Sequence, residues 1–340
     1  MSEISPRHKV AILRVLRDAA APLSSAEIAD RIAGYGLDLS PRTVRLCLQR
    51  MARAGWVAAA KRGRHGGQAI TPGGVLEVEG TVTLDRLGFT AARVDTLAWQ
   101  MDYDVERGEG RIVLNVTLIS RANLLHAVRE MTVVFRAGLG MGRYVALFAP
   151  GERVGTLTVP ESQVGIGTIC SVTVNGVLLG RRIPALARFG GLLEMADRRP
   201  ARFTELIAYE GTTLDPLEVF IKARLTDVHG AAITGNGRVG ASFREVPTAA
   251  RDDVEAVRDR LRERELDGIL VIGKPNRPLF DLPVAQGRTG MVILGGLNPA
   301  AAIEEAGIPT SNRALCALCD FKRLIHYRDL QAAALELVER

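Results

Sequence analysis

Between positions 40 and 49 the chain carries Ser40, Arg42, Thr43, Arg45 and Gln49, and a second run of cations, Lys61, Arg62 and Arg64, follows among glycines. Side chains of these types suit recognition more than catalysis. Arginine forks onto guanine, glutamine onto adenine, and lysine or hydroxyl groups reach phosphate oxygens. Eight such residues within 25 positions are expected to contact double-stranded DNA.

The elements that must hold them can be read from spacing. Residues 6–20 place Val10, Leu13 and Leu16 at helical intervals, and Pro22 ends that helix. Ser24 and Glu27 have the spacing of a capping box for a second helix, which Gly34 stops and Gly36 follows. Leu39, Ser40 and Pro41 then supply a staple residue, an N-cap and a first-turn proline for a third helix over 42–54. In that helix Val44, Leu46, Cys47, Leu48 and Met51 are expected on the buried side. Residues 56–60 and 68–72 read as two strands around a basic tip, so 1–75 is expected to be a winged helix-turn-helix domain. A winged helix used only for protein contacts is the alternative, and the basic tip argues against it.

Charge distribution agrees. The 340-residue chain is net +6, yet residues 1–75 alone hold twelve Lys+Arg against five Asp+Glu, leaving thirty-two against thirty-three of the total 44 and 38 for the remainder. A polyanion-binding head on a near-neutral body has this footprint. Length implies at least two domains, and composition (47% hydrophobic, 24% charged) is that of an ordinary globular protein. The chain shows no apolar run long enough to span a bilayer and no leader-like start, so no membrane partner and a cytoplasmic location are expected. Cys47, Cys170, Cys316 and Cys319 are too few for a disulfide framework and are expected as reduced thiols.

Residues 76–110 read as a connection and 111–340 as an α+β domain with mixed or antiparallel sheets. Strands are expected at 112–119, 153–159, 191–195, 269–272 and 291–294, and two more at 167–179 around a tight turn at Asn175-Gly176. Residues 122–135 read as helix or as helix followed by strand. Further helices are expected at 252–264, 299–306, 312–325 and 328–338, and no internal repeat is apparent. The body shows no nucleophile–base set, no phosphate loop and no metal-spaced histidines, so neither an enzyme nor a bound metal or cofactor is expected. Cys316 and Cys319 read as buried thiols, with metal or redox use as the alternative. An enzyme with an accessory winged helix, working through Thr204-Glu205 or Arg244-Glu245, is the minor reading.

The body instead offers polar, glycine-rich loops. Gly167, Thr168, Arg202, Thr204, Thr212, Thr213, Arg244, Lys274 and Asn298 present cations, amides and hydroxyls suited to a small anion. Taken singly, each such loop also reads as a turn that needs positive φ.

The segments at 164–179 (VGIGTICSVTVNGVLL), 189–194 (FGGLLE), 202–220 (RFTELIAYEGTTLDPLEVF), 235–247 (GNGRVGASFREVP), 273–284 (GKPNRPLFDLPV) and 295–307 (GGLNPAAAIEEAG) resemble the effector domain of the NrpR nitrogen-assimilation repressors of methanogens. The resemblance implies a repressor that binds palindromic operators as a homodimer or higher oligomer and is released by 2-oxoglutarate as effector. From their chemistry and motif positions, the nine residues above are expected to supply the effector contacts. Well-known members carry two tandem effector domains, whereas this chain has room for one. A regulator sensing a different small anion is the alternative.

Overall fold

In the computed structural model residues 6–19, 21–33, 39–62, 65–85 and 89–339 are described. The chain divides into two compact units, Met1–Leu87 and Gly88–Arg340.

The first unit runs α1 (Pro6–Arg17), α2 (Ser25–Ala33), α3 (Pro41–Arg53), an antiparallel hairpin of β1 (Val57–Arg62) and β2 (His65–Ile70), and α4 (Pro72–Asp85). Its helix starts follow from sequence. The Ser24 amide donates to Glu27 Oε2 at 2.8 Å and the Glu27 amide to Ser24 Oγ at 3.3 Å, closing the expected capping box. Ser40 Oγ accepts from the Thr43 amide at 3.1 Å, with Pro41 in the first turn of α3. Ile12, Leu13, Ile28, Ile32, Val44 and Met51 are fully enclosed between the helices. Val78 of α4 joins this core, so part of the stretch read as a connection completes the first unit. Gly34, Gly36 and Arg64 lie outside the described residues.

The second unit opens with α5 (Phe89–Gln100), β3 (Arg111–Ser120), α6 (Leu124–Arg136), β4 (Tyr144–Phe148), the short β5 (Arg153–Val154) and β6 (Leu157–Thr158), β7 (Gln163–Ile169), α7 (Val172–Gly180), β8 (Leu186–Ala196) and β9 (Arg199–Ala208). It continues with α8 (Pro216–Lys222), α9 (Val228–Thr234), β10 (Gly237–Pro247), α10 (Arg251–Glu263), β11 (Ile269–Ile272), β12 (Arg288–Leu294), α11 (Asn298–Glu305), β13 (Ser311–Asp320), β14 (Ile325–His326) and α12 (Leu330–Glu339). Two five-stranded sheets result, ordered β13-β3-β7-β4-β14 and β11-β12-β10-β8-β9, with every pair antiparallel. This is an α+β unit.

The order exposes a duplication. β3, α6, β4, β7, α7 and β8 recur in sequence as β10, α10, β11, β12, α11 and β13. In both halves the first strand leads through a three-residue 3-10 turn into a thirteen-residue helix, and β7 and β12 both span seven residues. The hydrogen bonds repeat as well: Cys170 N to Val113 O at 2.8 Å matches Gly295 N to Gly240 O at 2.8 Å. The last strand of each half pairs with the first strand of the other, β8 on β10 and β13 on β3. The expectation of no internal repeat is therefore corrected. Equivalent positions such as Asn115 and Ser242, or Thr117 and Arg244, share geometry without sharing residue type, which hides the repeat from sequence.

Three other readings are corrected. The single strand expected over 153–159 is the antiparallel pair of β5 and β6. The strand pair expected over 167–179 is β7 followed by helix α7, buried from Val172 to Leu178. A helix enclosed on every side has no apolar stripe, and its β-branched run mimics a strand. Asn175-Gly176 makes no turn: the Asn175 amide donates to Ala185 O at 3.0 Å, and a Cβ on Gly176 would stand 2.5 Å from Met101 Cε. The helix expected over 312–325 is strand β13, whose register shifts between Arg313 and Ala317. That bulge breaks the period-two pattern, and pairing with β3 overrides the helical leaning of its Ala and Leu residues.

The halves touch at the turns before α7 and α11. A Cβ on Gly296 would lie 2.1 Å from Ile169 O and 3.0 Å from Cys170 Cα, whereas Gly180 has open space. Gly296→Ala is expected to cost about 1–3 kcal/mol and lower the calorimetric melting temperature by several degrees. Gly180→Ala should leave it unchanged or slightly raised. Equal melting temperatures would contradict this packing.

Candidate functional site

On α3, Val44, Cys47, Leu48 and Met51 are buried, which turns Arg42, Arg45 and Gln49 outward at intervals of three and four residues. Leu46, expected in the core, is instead 50% exposed on this outward side. An aliphatic group among arginine and glutamine is suited to a thymine methyl. Ser40 and Thr43 stand at the start of the helix with their hydroxyls 2.8 Å apart, so both help to hold the N-terminus of α3. A groove of about 690 Å³ runs beside this face, bordered by Arg45 and Gln49 of α3, Ser24 and Ser25 at the start of α2, and Gly66 and Gln68 of the hairpin. The hairpin lies close against the loop before α2, where a Cβ on Gly67 would meet Pro22 at 2.9 Å. Leu23 and Gln68 exchange backbone hydrogen bonds there at 2.8 and 3.0 Å. Lys61 and Arg62 belong to β1, while Arg64 lies outside the described residues.

The nine effector candidates of the second unit do not come together. Arg202 is exposed on β9 and paired with Glu194 at 2.6 Å, and Lys274 is exposed just beyond β11. β9 and β11 are opposite edges of one sheet, about 19 Å apart at the usual strand spacing. Thr212 bonds within its own turn, to Leu214, and Thr213 is half-buried. Thr204 donates to Leu192 O at 3.4 Å from a bulge in β9. Gly167 is packed within its sheet by Phe148 and Leu114. Asn298 is buried and saturated, accepting from Gly240 N at 2.8 Å and donating to Leu139 O at 2.9 Å and Gly240 O at 3.0 Å. Thr168 is buried with no partner for its hydroxyl.

Arg244 differs from all of these. It is 0% exposed, the bulkiest fully enclosed side chain of the described chain. Its guanidinium donates to Ser242 Oγ and, at 3.3 Å, to Ser171 Oγ, and its Nε has no partner. Among the described residues no carboxylate forms an ion pair with it. Burial lowers its pKa, yet an arginine keeps its charge in proteins. Around it lie Cys170, Tyr209 and Asp215. Burial pushes the Cys170 thiol up to about 11, leaving it protonated at neutral pH. Asp215 caps α8, accepting from Leu217 N at 2.9 Å. Burial, reinforced by Glu218, pushes its carboxyl up to about 7 against the opposing backbone hydrogen bonds. Ser171, Ser242, Tyr209 and Asp215 were not legible as one group in the sequence, since nothing but long-range pairing brings them together. Cys316 and Cys319, expected as buried thiols, are free thiols on β13 but only half-buried.

Because folding raises the Asp215 carboxyl from its ordinary 3.8, the stability it contributes is present below about pH 4 and lost as pH rises through 7, with a slope of at most about 1.4 kcal/mol per pH unit. Asp215→Asn keeps a capping oxygen and should flatten this part of the stability–pH curve in urea titrations. An unaltered slope would refute the assignment.

Comparison with known proteins agrees with this architecture. Residues 87–326 match the family of NrpR regulatory domains NRD1 and 2, and residues 10–78 match the ribonuclease R winged-helix domain. The chain is 27% identical over 318 residues to the global nitrogen regulator NrpRI of Methanosarcina mazei, covering 94% of this chain and 97% of that one. It is 26% identical over 316 residues to the global nitrogen regulator NrpR of Methanococcus maripaludis, covering 93% of this chain and 54% of that one. A crystal structure of a nitrogen repressor-like protein from Methanococcus jannaschii superposes with a TM-score of 0.58 at 28% identity, covering 69% of this chain and 97% of that one. With a regulatory-domain match over most of its length behind a winged helix, the chain belongs to the NrpR family.

Proposed function

We propose that this protein is a sequence-specific, non-enzymatic repressor of nitrogen-assimilation genes whose affinity for its operator falls when 2-oxoglutarate binds the Gly88–Arg340 unit. The observation that carries the reading is the exposed face of Arg42, Arg45, Leu46 and Gln49 on α3 in a chain whose remainder is an NrpR regulatory domain. Relatives that match more than nine-tenths of the chain are named global nitrogen regulators. The DNA partner is a palindromic duplex bound by a homodimer or larger homo-oligomer, each copy placing one α3 in the major groove and its hairpin along the flanking backbone. The described residues include no helix long and apolar enough to cross a membrane.

2-Oxoglutarate carries two carboxylates and needs cationic and amide donors that are kept from water. A guanidinium buried without an ion-paired carboxylate, as in Arg244, suits that demand better than the exposed Arg202 and Lys274.

Replacing Arg42 or Arg45 by Ala should weaken operator binding by about 1–3 kcal/mol and relax the preference for one base pair. Arg62→Ala should instead lower affinity evenly across sequences and reduce the salt slope. Fluorescence anisotropy at several salt concentrations measures both, and undiminished binding in all three variants would remove α3 and the hairpin from the DNA face. Titrating 2-oxoglutarate into the protein–operator complex at fixed salt should release the DNA. Release by a different small acid, with none by 2-oxoglutarate, would reassign the effector.

A further inference from the structure

We propose that Leu46 is a specificity-determining residue that reads the 5-methyl group of one pyrimidine per operator half-site in the major groove. This rests on the DNA-binding reading above and deepens it. A leucine that is 50% exposed is ordinary on a protein surface. The place of this one singles it out. The thirteen positions of α3 hold four arginines and no acidic residue, and Leu46 is the one large apolar side chain that this helix turns outward. At 3.6 residues per turn, Arg42 and Arg50 lie about one turn before and after it, Gln49 lies beside it, and Arg45 precedes it in the chain.

The core does not use this side chain, because Val44, Cys47, Leu48 and Met51 already fill the inner side of α3. Among the described residues no carboxylate pairs with Arg42 or Arg45. A protein surface that covered Leu46 would have to supply carboxylates to the surrounding arginines. A DNA groove instead supplies phosphates along both walls and one kind of apolar group on its floor, the C5 methyl of thymine. 5-Methylcytosine carries the same methyl at the same ring position.

The spacing along the helix agrees. Arg42 to Gln49 spans about 10.5 Å of helix, or about three base-pair steps of ~3.4 Å. Leu46 stands about 6 Å along that span, over its interior pairs. Arginine and glutamine at the two ends can fork onto guanine and adenine, which fixes the helix in the groove. The methyl projects from the base edge, so the short leucine meets it while the longer side chains reach the edge itself.

The test begins with duplexes selected from a random pool by the full chain. Each thymine of the selected operator is then replaced in turn by deoxyuridine, which lacks only the methyl. Fluorescence anisotropy should show one thymine per half-site whose replacement weakens wild-type binding about fourfold, the worth of one buried methyl-sized group. Leu46→Ala should bind the thymine duplex at least about fourfold more weakly and no longer distinguish thymine from deoxyuridine. Leu46→Met keeps the apolar reach and should keep the preference. At the same position 5-methylcytosine should bind better than cytosine by a similar factor in the wild type, and equally in Leu46→Ala. The melting temperature of Leu46→Ala should match that of the wild type, since an exposed side chain is removed. A melting temperature several degrees lower would assign Leu46 to the fold and overturn the contact. Equal wild-type affinity for thymine and deoxyuridine at every position, or a methyl preference that survives in Leu46→Ala, overturns it as well while leaving α3 as the DNA face. Failure to enrich any sequence sinks the DNA-binding reading, and this inference with it.

Discussion

Each half of the regulatory unit completes its sheet with a strand from the other. β8 leaves the first half to pair with β10, and β13 returns to pair with β3. Neither half can close its own sheet, so the two fold as one body whose contact surface passes through the turns before α7 and α11. Those turns must come within van der Waals distance of each other. Gly296 is glycine because a Cβ would overlap the Ile169 carbonyl.

That constraint also explains where charge accumulates. Strand exchange aligns the two β-to-α turns, so two helix starts meet in the interior far from solvent. Most polar groups nearby are neutral and paired: Asn298 with Gly240, Thr117 with Asn312, and Asn115 with the Leu315 amide at 3.1 Å. Arg244 departs from this pattern, as a charge where its counterpart is a hydroxyl. Asp215, the carboxylate nearest in chemistry, is committed to capping α8 and is itself held toward its protonated form by burial. It still attracts the guanidinium, without forming an ion pair with it. Glu218 and Lys222 link the segment beside it to β13 and α11.

The first unit works by simpler rules. Its helix starts are fixed by local hydrogen bonds, its core by one apolar face per helix, and its outward face by the residues left over. Leu46 shows how the remainder matters: it sits among Arg42, Arg45 and Gln49 because the α3 core is already filled by Val44, Cys47, Leu48 and Met51.

Sequence by itself determined the elements whose causes are local. The Ser24–Glu27 capping box, the Ser40–Pro41 helix start, the basic excess of the first quarter and the strands at 112–119 and 291–294 could all be read residue by residue, since each depends on neighbours a few positions away. Family-wide motifs added the identity of the second unit. Tertiary structure decided what depends on distant partners. The all-round burial of α7 erased its helical period, pairing with β3 turned 311–320 into a strand whose bulge hides its period, and the duplication survived in backbone geometry after its residue types had diverged. The same reason governs the candidate site. Of nine residues chosen for their chemistry, the fold spread most along surfaces and loops and enclosed Arg244 with Ser171 and Ser242, because burial and charge compensation are set by strand pairing across the halves and leave no mark at the spacing of any one segment.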